Sequence, residues 1–161
     1  MKIRWIAVNA ILAALYIVVT FFLQPISFYA VQFRISEMLN HLVVFNKRYF
    51  IGIVTGVFIG NLFFSPLLPY DLIFGTGQSA LALLTTIVCS RFIKNTRALL
   101  LINTGVFTLT MFFIAWELNL VGHYPFLYTW MTAAAGECAV MLTGAPIISM
   151  INKRVHFEKL I

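Results

Sequence analysis

The sequence predicts an all-α polytopic membrane protein with six transmembrane helices in one bundle. Three observations support this fold class: 61% of the 161 residues are hydrophobic, only 10% are charged, and the mean hydropathy is +0.96. These values lie far outside the range of soluble globular domains. No internal repeat, low-complexity segment or soluble domain separates the apolar runs, so we expect residues 1–161 to form a single integral membrane domain.

Apolar runs separated by Pro, Gly and charged residues predict six helices, of which the second and third are short for a bilayer span of about 20 residues. Their approximate limits are 4–23, 31–46, 48–64, 71–92, 97–118 and 124–152. The first run is longer than the roughly 7–15 apolar residues of a cleavable signal peptide, so we interpret it as a retained helix. Asp71 is placed to cap the fourth helix, a role that does not exclude contact with a ligand.

The positive charges predict the orientation of these helices. Lys and Arg form short clusters at the start of the chain, between helices two and three, between helices four and five, and at the end. Alternation of six spans places all four clusters on one side, which is the cytoplasmic side by the positive-inside rule. We therefore expect both termini in the cytoplasm. A net charge of +6 distributed in this way does not indicate a nucleic-acid-binding face.

Arg34 is the one Lys or Arg outside this pattern, and Glu37 follows it one helical turn later. With His41 they have i, i+3, i+7 spacing, which predicts that all three share one face of the second helix. Two interpretations stay open: an ion pair of Arg34 with Glu37 near the membrane surface, or a contribution of at least one of them to a ligand pocket. We interpret His41 and His123 as structural hydrogen-bonding residues, since no second His or Cys lies at metal-ligand spacing.

Polar residues of the other helices reach the same outer half of the membrane and predict a shared binding pocket. Helical spacing places Asp71 with Gln78, and Trp130 with Glu137, on common faces. An intramembrane charge costs about 2.5–3.5 kcal/mol unless it pairs or lines a cavity, so a carboxylate as deep as Glu137 needs a special environment or an external partner. The candidate substrate-binding residues are Arg34, Glu37, Asn61, Asp71, Gln78, Glu117, Trp130 and Glu137.

The charges of this set predict the class of ligand. Four acids face one arginine, which favours a cationic or donor-rich ligand over an anion. Aromatic residues in the same half of the membrane suit stacking on a flat heterocycle. The chain has no Walker A, GxSxG, HExxH or CxxC motif, so we expect no enzyme activity, metal or cofactor, and transport against a gradient would need a motor elsewhere.

Small residues predict two close helix contacts. A GxxxGxxxG pattern beginning at Gly52 favours packing of the third helix within the bundle. Ala10 and Ala14 form an AxxxA pattern in the first helix, and Ala7 extends it. Spacing does not decide whether this alanine face packs inside the bundle or contacts a separate membrane partner.

Five stretches between Ala30 and Ile148 carry a resemblance to a known family: "VQFRISEML", "GVFIGNLFFSP", "YDLIFGTGQSALALLTT", "AWEL" and "AAAGECAVMLTGAPII". They are similar to the queuosine-precursor transporters, the substrate-binding S-components of energy-coupling factor (ECF) transporters. The resemblance implies a six-helix S-component of a bacterial cell membrane that captures a 7-deazaguanine, in its 7-aminomethyl form or a close relative, from outside. It also implies ATP-driven uptake through a transmembrane coupling protein and two ATPase subunits, with Ala7, Ala10 and Ala14 at the interface with the coupling protein.

The chemistry of a deazaguanine suggests roles for the acids. One carboxylate can accept from the ring N–H and the adjacent amine, and the aminomethyl ammonium needs a second acid, each bond being worth about 1.5–3 kcal/mol. We expect the guanine-like edge at Glu137 or Glu37, the ammonium at Asp71 or Glu117, and the ring carbonyl at Arg34 or Asn61. The alternatives are an S-component for another flat vitamin-like heterocycle, an intramembrane enzyme that uses the Glu and Asp cluster, and a purely structural membrane subunit.

Overall fold

The structure is a computed structural model that describes residues 2–27 and 33–161, without the side chains of Lys2, Pro25 and Ile26. Over these residues the chain forms helices and no strands. The α-helices, in chain order, are α1 (Lys2–Phe22), α2 (Gln24–Ser27), α3 (Leu42–Phe45), α4 (Phe50–Phe64), α5 (Tyr70–Phe92), α6 (Thr96–Thr110), α7 (Phe112–Gly122), α8 (Phe126–Val155) and α9 (Phe157–Leu160). Two 3₁₀ segments, Ile35–His41 and Lys47–Tyr49, precede α3 and α4.

Five helical stretches of the described chain are long and apolar enough to cross a membrane. They are Ile3–Phe22, Lys47–Phe64, Tyr70–Phe92, Thr96–Gly122 and Phe126–Val155. A sixth apolar stretch, Ile35–Phe45, is shorter and corresponds to the predicted second helix, whose first residues, 31 and 32, lie outside the described residues. The predicted all-α polytopic membrane fold is confirmed.

The predicted second helix is mostly a 3₁₀ segment, so the residues that share a face differ from those expected for an α-helix. A 3₁₀ helix has about 3.0 residues per turn, so Arg34, Glu37 and Asn40 line up while His41 turns away from them. Glu37 accepts a hydrogen bond from Tyr16 of α1, whereas His41 bonds to Met141 of α8. The expectation that His41 shares a face with Glu37 is therefore wrong.

The predicted fifth helix is divided in two. Thr96–Gly122 consists of α6 and α7, with Met111 between them. The break contains neither Pro nor Gly, so nothing in the local sequence indicated it. The predicted sixth helix is α8, which continues through Pro146 to Val155.

The packing of α1 against α4 is the most extensive helix contact among the described residues. A Cβ atom at Gly52 would lie 2.6 Å from Asn9 Oδ1, and one at Gly56 would lie 2.7 Å from Tyr16 Cβ. The Gly52 N–H also donates to Asn9 Oδ1 at 2.8 Å. The glycine pattern therefore packs within the bundle, as predicted, and only the absence of side chains lets the helices approach so closely.

The 3₁₀ segment, α5, α7 and α8 surround one buried region. α8 packs against the 3₁₀ segment and α7, and α5 packs against α4 and α7. Gly144 allows the close contact of α8 with the 3₁₀ segment, because a Cβ there would lie 2.5 Å from Met38 Cβ. The acids of the membrane interior converge in this region.

Candidate substrate-binding site

Arg34 lies just before the 3₁₀ segment, is only 4% exposed, and pairs with Asp71 of α5. The distance from Arg34 Nη2 to Asp71 Oδ1 is 3.5 Å, and Arg34 Nε donates to the Ser27 carbonyl at 3.3 Å. The structure thus pairs Arg34 with Asp71 rather than with Glu37, and the local i, i+3 ion pair is wrong. A buried pair of this kind is stable only when further hydrogen bonds satisfy both partners.

Those further bonds come from the chain before α5. The Ser65 hydroxyl donates to Asp71 Oδ2, and Asn61 Nδ2 donates to the Asp71 carbonyl at 3.0 Å. Gly75 leaves room for this arrangement, since a Cβ there would lie 2.7 Å from Asn61 Nδ2. Pro69, not Asp71, occupies the N-cap position of α5. The predicted capping role of Asp71 is therefore wrong, and its carboxylate serves Arg34 and Ser65 instead.

Glu37 is bonded to its own segment and to α1. The Tyr16 hydroxyl donates to Glu37 Oε1 at 2.6 Å, and the Asn40 amide donates to Oε2. The Thr20 hydroxyl of α1 also donates to Ser36 Oγ at 2.9 Å. The sequence interpretation missed Tyr16. A phenol in the middle of an aliphatic helix was the available signal, because a buried Tyr hydroxyl usually has a partner.

Glu117 of α7 and Glu137 of α8 are both 0% exposed. Neither carboxylate receives a hydrogen bond from a described donor, and Glu117 lies within reach of the Asp71 carboxylate, to which it can donate when protonated. The charged neighbours of Glu117 are Asp71 and Arg34, and those of Glu137 are Glu37 and Arg34. The structure therefore brings the four predicted acids around the predicted arginine. Each of these two glutamates has another acid as a neighbour, an arrangement that a cation or a group rich in N–H donors would stabilise.

Trp130 lies two turns before Glu137 on α8. Its indole Nε1 is buried without a hydrogen-bond partner in the described part of the chain. Its ring packs near Phe126, with 6.2 Å between the ring centroids. Since most buried polar groups are bonded, this N–H is available to a bound molecule.

Gln78 of α5 differs from the other candidates, because both ends of its amide are bonded to protein groups. Nε2 donates to Thr110 Oγ1 at 2.9 Å, and Oε1 accepts from Ser79 Oγ at 3.1 Å. These bonds connect α5 with α6. A role of Gln78 in binding stays a prediction.

His41 serves structure, whereas the side chain of His123 is exposed and the structural hydrogen bond expected of it stays a prediction. His41 Nε2 lies 2.9 Å from the Met141 carbonyl, and Nδ1 lies 3.1 Å from Asn103 Nδ2. The Asn103 side chain also accepts from Thr86 Oγ1 at 2.7 Å, so His41 links α5, α6 and α8 as a structural residue. His123 ends α7 in the left-handed conformation, with φ 55°. Residues 2–27 and 33–161 contain no group of three or more His, Cys, Asp or Glu placed to hold a metal.

The alanine face of α1 is not covered by the described part of the chain. Ala7, Ala10 and Ala14 are exposed, whereas Ala13 is buried against the bundle. Of the two alternatives left by spacing, packing inside the bundle is therefore wrong. This face points to the membrane or to a partner within it.

The fold and the buried acids define the class of protein: a multi-pass helical membrane protein with ionisable groups gathered between its helices. The family described as QueT transporter matches residues 6–153. A relative from Lactococcus lactis subsp. cremoris (strain MG1363), described as queuosine precursor transporter QueT, is 38% identical over 160 residues, covering 93% of this chain and 93% of that protein. The chain belongs to the QueT transporter family. No solved structure gave a significant match.

Proposed function

We propose that this chain is the substrate-binding S-component of an ECF-type transporter and binds 7-aminomethyl-7-deazaguanine or a close relative. Membership of a transporter family and the description of the Lactococcus relative as a queuosine precursor transporter support this proposal. One structural observation carries it: Glu117 and Glu137 are fully buried, receive no hydrogen bond from the described residues, and have the buried Arg34 as a charged neighbour. A ligand that brings an ammonium and a row of N–H donors supplies what these carboxylates lack.

The bonds already present narrow the roles of the acids. Glu37 accepts from Tyr16 and Asn40, whereas Glu137 accepts from no described residue, so Glu137 is the better acceptor for the guanine-like edge. The ammonium then binds at Glu117, where Asp71 adds a second negative charge. Arg34 or Asn61 donates to the ring carbonyl, and the ring of Trp130 is a surface on which the heterocycle can stack.

ATP-driven uptake, as proposed here, requires partners, because this sequence contains no nucleotide-binding motif. In the proposed transporter a transmembrane coupling protein and two ATPase subunits supply the energy. The exposed face of Ala7, Ala10 and Ala14 is the proposed contact with the coupling protein, since small residues let membrane helices approach closely. The distribution of Lys and Arg supports a bacterial membrane orientation with both termini in the cytoplasm and the acids toward the outer side.

Calorimetric titration of the purified full-length chain with 7-aminomethyl-7-deazaguanine tests the proposal. Replacing Glu117→Gln or Glu137→Gln is expected to weaken binding roughly 10- to 150-fold, because a charge-assisted hydrogen bond is worth about 1.5–3 kcal/mol. Glu158→Gln is the matched control, since Glu158 is the exposed acid near the end of the chain and its loss should leave the affinity unchanged.

Titration with a panel of other heterocycles tests whether the chain is specific for the deazaguanine. Near-wild-type affinity in both the Glu117 and the Glu137 variants would sink the assignment of these acids. If a different flat vitamin binds more tightly than the deazaguanine, that vitamin is the substrate, and the assignment of the site stays the same. Turnover of the ligand by the chain alone would indicate an enzyme instead.

A further inference from the structure

A cavity away from the acids lies between α6 and α8 and has a volume of about 360 Å³. Arg97, at the beginning of α6, and Lys153, near the end of α8, both line it. Because these helices belong to successive membrane spans and run in opposite directions, the two cations lie at the same end of the bundle. The volume falls within the roughly 300–1,000 Å³ of ligand pockets.

The remainder of the lining is mainly apolar and forms a groove that opens sideways. Leu100 and Ala145 form its floor and are 5% and 8% exposed. Leu101 and Met150, at its sides, are 60% and 68% exposed. Ala145 and Lys153 lie eight positions apart, a rise of about 12 Å along α8, so the groove leads from the cations toward the membrane interior. An apolar chain, rather than water, suits such a surface in a bilayer.

Neither Arg97 nor Lys153 forms an ion pair in the described part of the chain, in which Arg34 pairs with Asp71. Both are exposed at the ends of their spans, the depth at which lipid headgroups lie. The N-terminus of α6 adds the positive end of its helix dipole beside Arg97. Ser149, half-buried in the same lining, contributes a hydroxyl group. This end of the groove therefore complements a phosphate group.

We propose that the groove between α6 and α8 binds one anionic phospholipid. Its phosphate lies between Arg97 and Lys153, and an acyl chain follows the floor formed by Leu100 and Ala145. The site is separate from the acids of the substrate-binding cluster, so the inference does not depend on the proposed function.

Native mass spectrometry of the full-length chain, purified in detergent with an equimolar mixture of phosphatidylglycerol and phosphatidylcholine, tests the site. The wild-type chain is expected to retain one phosphatidylglycerol in preference to phosphatidylcholine. The double variant Arg97→Gln/Lys153→Gln should lower this retention roughly 30-fold, because each Lys or Arg near an anionic lipid surface contributes about a fivefold change in affinity. Arg91→Gln/Lys94→Gln is the matched control: it removes two cations, one in the last turn of α5 and one between α5 and α6, that do not line the cavity.

A second variant tests the apolar part of the groove without changing any charge. Ser149→Phe fills the cavity and should prevent retention of phosphatidylglycerol while leaving substrate binding intact, which also shows that the variant is folded. Equal loss in the Arg91/Lys94 control would overturn the proposal in favour of unspecific charge attraction. Equal retention of both lipids, no retention by the wild type, or unchanged retention by Ser149→Phe would also overturn it.

Discussion

Glu117 and Glu137 are carboxylates in an environment that disfavours charge. Each is fully buried and receives no hydrogen bond from the described residues. A buried polar group without a partner costs about 1–3 kcal/mol, and a charged one costs more. In the proposed function, a ligand that completes their hydrogen bonds offsets this cost.

Tyr16 is the residue that connects α1 with the acids, and its hydroxyl can be tested alone. Tyr16→Phe removes the donor to Glu37 Oε1 and leaves Asn40 as the bonded donor of that carboxylate. We expect the variant to lower the free energy of unfolding by roughly 1–3 kcal/mol, because a buried acceptor loses its partner. Thermal unfolding of the purified chain measures the change. Tyr128→Phe is the control, since Tyr128 is exposed, and it should leave the free energy of unfolding unchanged. An equal loss of stability in that variant would contradict the role of Tyr16.

At the scale of the element, α5 carries a matched pair of glycines. A Cβ at Gly75 would lie 2.7 Å from Asn61 Nδ2 and 3.6 Å from Arg34 Nη1, whereas one at Gly77 would meet nothing within 4 Å. Gly75→Ala is therefore expected to lower stability by roughly 1–3 kcal/mol through overpacking and to weaken binding of the deazaguanine. Gly77→Ala should leave binding unchanged. Titration and thermal unfolding of both variants check the difference, and similar behaviour of the two would show that Gly75 does not set the position of Asn61.

The limits of the spans could be predicted from the sequence because a lipid environment requires long apolar helices with internally satisfied backbones. The side-chain partners in and beside the 3₁₀ segment could not be predicted in this way. Arg34 has Glu37 as a neighbour in sequence, yet its partner is Asp71, 37 residues later, because the packing of α5 brings that carboxylate within reach. The bond from Tyr16 to Glu37 depends in the same way on the packing of α1 against the 3₁₀ segment. The set of acids followed from composition and helical spacing, but their partners depend on tertiary packing.

At the scale of the whole molecule, we expect that one variant can lose transport and still bind the substrate. Ala10→Trp/Ala14→Trp places two large side chains on the exposed face of α1, on the side away from Tyr16 and the acids. Binding of the deazaguanine by the isolated chain should stay unchanged, whereas ATP-dependent uptake by proteoliposomes that contain the complete transporter should be lost. Leu15→Trp, at an exposed α1 position about 100° around the helix from Ala14, is the control and should still transport. Transport by the Ala10/Ala14 variant would place the coupling interface elsewhere.

The unpaired carboxylates also have a thermodynamic consequence for the fold. In the proposed function the substrate supplies the donors that the described residues do not, and the empty protein then carries a free-energy penalty that the occupied protein does not. A molecule that binds only the folded chain stabilises it by about 2.7 kcal/mol at a concentration 100 times its Kd. In the proposed transporter the substrate thus also stabilises the bundle, and we expect the empty protein to be the less stable of the two forms.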